Sequence, residues 1–215
     1  MAFPRIKILN RLNSPLVVVT ALAIWLGLPA AQLSAQETSS LDAVLAQLKS
    51  TSEASTNSTL KSLGAELAAK ANLLGTSVSS NATTHSELTG ALQSLLGGKS
   101  PDAVAAFQKL SAAKLTPQQM ALAKQVGHVG SAYLVEKDLG SLDGSQSEVA
   151  QIVSSLRKGN VTAALPAIKK VSQNAGLTPE QKSLLTAMAE KLAPGASKAG
   201  EALGNGLKSI PGMGN

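Results

Sequence analysis

A segment of the chain occurs twice. Ser86 to Leu122 is restated from Ser147 to Leu184, with one residue, Ala175, inserted in the second copy. Ser86, Glu87, Ser94, Leu95, Gly98, Ala103, Ala106, Lys109, Ser111, Leu115, Thr116, Pro117, Gln119 and Leu122 all reappear. Leu88, Val104, Phe107 and Leu110 give way only to other apolar residues, Val149, Leu165, Ile168 and Val171. A period of about 61 residues is the mark of a repeated supersecondary unit, too large for one helix and too small for a domain. The fold must therefore accommodate two related blocks in tandem.

Within each block the spacing predicts three helices. The first covers Glu87 to Leu96 and, in the second copy, Glu148 to Lys158, closed by Gly97-Gly98 and by Gly159-Asn160. Glycine just past a helix end supplies the left-handed closing residue. Thr84 with Glu87, and Ser145 with Glu148, have the spacing of a capping box. The second helix opens at Ser100-Pro101, a hydroxyl cap ahead of a proline in the first turn. It should bury Val104, Phe107 and Leu110, and its counterpart Val161, Leu165, Ile168 and Val171. Pro166 falls inside the counterpart, where it should bend or delay the helix. The third helix opens at Thr116-Pro117-Gln118-Gln119 and again at Thr178-Pro179-Glu180-Gln181, each a capping box with proline at the first helical position.

Ahead of the blocks, Leu41, Val44, Leu45 and Leu48 share one helical face, with Ser39 or Ser40 available as cap. Ser50 to Thr59 is rich in short hydroxyls that compete for the backbone and favour turns or fraying. Leu60, Leu63, Leu67, Ala71, Leu74 and Val78 form a further stripe. Its spacing continues through Asn81 and His85, so residues 58–97 read either as one long helix or as two meeting at a Ser/Thr turn. The Thr84 box favours two.

Composition decides where such a chain works. Met1 to Asn13 holds Arg5, Lys7 and Arg11 with no acid, then come the apolar run Leu16 to Leu28 and Pro29 to Ala35. That order is a secretory signal, cut after Ala35 or Ala31, and its core is shorter than the roughly 20 residues that span a bilayer. Leu33 is larger than ideal for cleavage after Ala35, so retention as an anchor is the one route left to a membrane. The whole chain carries 19 basic and 13 acidic residues, a net +6. Without those three cations 16 basic residues remain against the same 13 acids. The remaining lysines are scattered, and after residue 35 only Phe107 and Tyr133 are aromatic, which argues against a nucleic-acid partner. With no cysteine, the chain has no thiol nucleophile or thiolate site, and its stability must come from Leu, Ala, Val and Ile packing.

The organisation expected is a signal over 1–35, a Ser/Thr-rich helical segment over 36–85, three-helix units over 86–146 and 147–193, and a mobile Gly-rich tail over 194–215. The fold class expected is all-α, a helical bundle or short α-solenoid. No catalytic, cofactor-binding or metal-binding residue stands out, and no cofactor is implied. Gly98-Lys99-Ser100 lacks the earlier glycine and the preceding strand of a phosphate loop. The S-x-x-K matches at Ser58 and Ser155 have no companion motifs. His85 and His128, the only histidines, have no partner at ligand spacing; His85 is expected at a helix start and His128 where helices approach closely. Asn57, Asn81 and Asn160 fit the glycosylation acceptor rule. The function expected is that of an exported, non-catalytic binding or scaffold protein whose partner is another protein and whose working surface lies between the two units. The alternative is a carrier of a small apolar ligand inside the bundle.

Overall fold

The computed structural model describes residues 40–192, with side chains through Glu190. The signal expected over 1–35 and the tail expected over 194–215 lie outside the described residues. Eight helices follow in order: α1 (Leu41–Ala54), α2 (Ser58–Ser77), α3 (Ala82–Leu96), α4 (Ser100–Ser111), α5 (Pro117–Leu139), α6 (Gln146–Arg157), α7 (Val161–Val171) and α8 (Pro179–Leu192). No strand occurs among the described residues. The fold is an all-α bundle.

Local signals place most helix ends. Ser40 caps α1, accepting from the Ala43 amide at 3.3 Å. Both Thr-Pro boxes close: the Thr116 and Thr178 hydroxyls each accept from the glutamine amide three residues on. The Gln119 and Gln181 carbonyls accept in return from the threonine amides, at 3.1 and 2.9 Å. After α3 and α6 the chain turns through Gly98 (φ 74°) and Gly159 (φ 72°). In both turns the amide two residues past the cap reaches back to a serine carbonyl, Lys99 to Ser94 and Asn160 to Ser155, which is the Schellman closure. A cross-helix ion pair also recurs, Glu87 with Lys109 and Glu148 with Lys170.

Three expected caps are used differently. The chain between α2 and α3 does break, so residues 58–97 form two helices, but the cap is Asn81, which accepts from the Thr84 amide at 3.1 Å. Thr84 is buried inside α3, because an asparagine three residues upstream already satisfies the first turn. Ser145 precedes α6 but makes no cap bond; its hydroxyl accepts from Asn174 at 2.8 Å. Ser100 is the first residue of α4 instead of its cap, and its hydroxyl donates to the Asp138 carboxylate. Ser50 to Thr59 frays less than its composition implies, since α1 runs to Ala54 before breaking. Pro166 neither delays nor ends α7 and sits on its exposed side. On that helix Ala164 and Ala167 are buried with Ile168 and Val171, while Val161 and Leu165 are only half-buried.

All three asparagines of the acceptor triplets are helix caps. Asn57 accepts from the Thr59 and Leu60 amides, Asn81 from Thr84 and Asn160 from Ala163. An Asn followed two residues later by Ser or Thr suits a helix start, so these triplets mark helix N-termini.

Helix α5 organises the bundle, packing against α2, α4 and α6. Val129 to Val135 is buried without interruption, so this helix has no solvent face over two turns. A helix enclosed on all sides loses the one-sided stripe that marks surface helices. Close approach depends on missing side chains: a Cβ on Gly130 would stand 2.5 Å from the Phe107 ring, and one on Gly64 would stand 1.8 Å from the Ser52 hydroxyl. Phe107, Leu110, Leu88, Leu92, Leu95 and Leu134 are among the largest fully buried side chains of the core.

Candidate binding groove

Three clefts lie along α5, and each shares lining residues with the next. The largest, about 750 Å³, has walls from α2 (Thr59, Glu66) and α6 (Val149, Ala150, Val153, Ser154) and a floor from α5 (Glu136) and Gly140. Arg157 and Lys158 lead from it into a cleft of about 240 Å³ lined by Lys70, Gln125, His128 and Gly159. His128 in turn borders a third cleft, about 450 Å³, between Phe107, Lys124, Ser131 and Val161.

The groove is shaped by local structure and closed by long-range polar bonds. The Schellman turn after α6 puts Gly159 beside His128, with space for a Cβ only 3.3 Å from the imidazole Nδ1. Arg157, in the last turn of α6, crosses to α2, where its Nε donates to Glu66 at 2.6 Å and its Nη2 to Ser62 at 3.3 Å. Lys70 of α2 donates to Gln125 of α5 at 3.0 Å and lies 3.8 Å from Glu66. At the far end Asn57 donates to Glu136 at 2.7 Å, tying the start of α2 to α5. The groove is thus spanned by one arginine and bolted at both ends.

Its electrostatics are uneven. Burial, and secondarily the nearby Lys124 ammonium, hold the His128 pKa below its usual 6.5. The imidazole therefore stays neutral at physiological pH and can exchange hydrogen bonds but adds no charge. Glu66 and Glu136 lie in the large cleft, whereas Lys70, Lys124, Arg157 and Lys158 surround the His128 end.

The sequence-expected residues distribute as follows. His128 lies where α5 meets the α6–α7 turn, a close approach, and lines two clefts. His85 lies in the first turn of α3 and does not line the three clefts. Gly98-Lys99-Ser100 forms the turn between α3 and α4, with Ser100 turned to Asp138. Ser58 begins α2, and the Ser155 carbonyl is used in the turn closure. Among the described residues no three His, Asp or Glu side chains converge as a metal site, and no helix is long and apolar enough to cross a membrane. Sequence reasoning missed α2 as a groove wall: nothing in the spacing of Ser62, Glu66 and Lys70 announces a partner 91 residues away.

Comparison with known proteins returns no matching family model, no matching curated protein and no matching solved structure.

Proposed function

We propose that this is an exported, non-catalytic helical binding or scaffold protein, built on a doubled three-helix unit, that holds another protein in the groove along α5. The observation that carries the reading is the run of three adjoining clefts along α5, the most buried helix of the bundle. Helical walls and an open top suit a chain segment of a partner. Export rests on the cationic, apolar, small-residue order of residues 1–35. Doubling rests on the recurrence, about 61 residues apart, of the same turn closure, ion pair and capping box.

A photo-cross-linking residue at Ala150, on the groove wall, should capture one discrete protein from the exported fraction. The same residue at Lys182, on α8, should capture none. Equal labelling from both positions, or none from Ala150, overturns the reading. N-terminal sequencing of the exported chain should begin at Gln36 or Gln32.

The carrier reading ranks second. Its support is the cleft beside Phe107, Ala112, Gly127 and Val161, which opens to solvent and so encloses a small ligand poorly. An organic-extractable ligand retained by the purified protein would favour it.

A further inference from the structure

We propose that the His128 end of the groove takes an acidic segment of a partner polypeptide, its carboxylates seated among Lys70, Lys124, Arg157 and Lys158. This rests on the binding reading above and adds the partner's chemistry. Four cations reach this stretch from three helices. No carboxylate lines the cleft shared by Lys70, Arg157 and Lys158. The nearest is Glu66, which already holds Arg157 at 2.6 Å and Lys70 at 3.8 Å. Lys124 and Lys158 form no ion pair with a described residue. One carboxylate among four cations leaves a concentrated positive field in a partly enclosed wall, which attracts and orients acidic groups.

Helix chemistry accounts for only part of this cluster. Arg157 and Lys158 end α6, where cations offset the carbonyl end of the helix. Lys70 and Lys124 reach in from within α2 and α5, where no such need exists.

The rest of the groove favours polypeptide over nucleic acid. Past Arg157 the wall turns apolar at Val149, Ala150 and Val153, and then acidic at Glu136. A uniformly charged phosphate backbone would meet repulsion there, and the Phe107 ring beside the third cleft is buried, which leaves only the half-buried His128 imidazole of the three clefts for a base to stack on. A segment with acids at one end and apolar side chains beyond them matches the whole run.

The test is fluorescence anisotropy of a labelled octaglutamate peptide against the exported chain, at low and at moderate salt. Binding should be measurable at low salt and weaken as salt rises. The double variant Lys70→Glu/Lys158→Glu should weaken it by about tenfold or more, and Lys114→Glu/Lys182→Glu by less than about twofold. Circular dichroism establishes that both variants fold. Absence of binding at low salt, an equal loss in both variants, or octathymidylate binding as tightly as octaglutamate overturns the proposal. The Ala150 cross-link separates the two readings. If it forms while octaglutamate fails, the groove stands and the acidic assignment falls; if neither occurs, both fall.

Discussion

Helices α4 and α7 occupy the same place in their respective blocks yet live in different surroundings. Both follow a Schellman turn, and both carry the lysine that pairs with a glutamate on the preceding helix. But α4 is packed against α3, α5 and α8, whereas α7 packs against α6 and α8. The residue at the shared position differs accordingly. Phe107 of α4 lies over Gly130 of the central helix, while Ile168 of α7 is buried near the edge. The same local grammar therefore serves an interior helix and a peripheral one. Caps and turns travel with the sequence, but burial depends on what comes next in the chain.

The widest separation between the blocks should appear in the core. Phe107→Ala should cost about 3–5 kcal/mol, because α5 and its glycines cannot collapse into the space. Ile168→Ala should cost about 2 kcal/mol, near the low end for such truncations. Urea denaturation of both variants measures the difference, and equal losses would mean that α7 is as deeply held as α4.

The turn glycines should come next. Gly98→Ala and Gly159→Ala each force an L side chain into the left-handed region, about 1–2 kcal/mol. Gly159→Ala should be the worse of the two, since its methyl group also meets His128, whereas Gly98 has open space. Thermal melts rank them; the added loss at Gly159 should shrink when His128 is also replaced by alanine.

The Thr-Pro boxes should differ least in mutational effect. Thr116→Ala and Thr178→Ala should each lose about 1 kcal/mol, a near-equality that sharpens the contrast with the core. The smallest effect concerns the repeated ion pair. Its hydrogen bond from Lys170 holds the Glu148 pKa below the usual carboxylate value. A depressed folded-state pKa contributes stability that is present above the unfolded value and lost as pH falls through the folded one. Lys170→Ala should move the Glu148 titration upward in an NMR pH series and remove that part of the acid dependence.

These contrasts explain what could be read from the chain alone. The helix class, the two glycine closures and the Thr-Pro starts were legible because each depends on residues within one turn of one another. The choice of Asn81 over Thr84 as cap was harder, since two adequate caps stood three residues apart. The enclosure of Val129 to Val135 left no periodic trace, because a helix surrounded by others has no polar side to alternate with. A working surface was expected between the two units, whereas the groove takes one wall from α2, which lies outside both. Its second wall depends on Arg157 reaching Glu66 across 91 residues, and pairing at that range is decided by packing.

One detail of the Thr-Pro starts carries further. Besides closing its own box, each glutamine donates its Nε2 to a carbonyl near the end of a helix some forty residues earlier: Gln119 to Ser77 and Gln181 to Asp138, both at 2.6 Å. Glutamate, equally good within the box, has no proton to give that carbonyl and would set charge against lone pair. The amide is therefore the stitch that hems each new helix to the frayed edge of an older one, and trading it for the acid should keep every helix while loosening the seam.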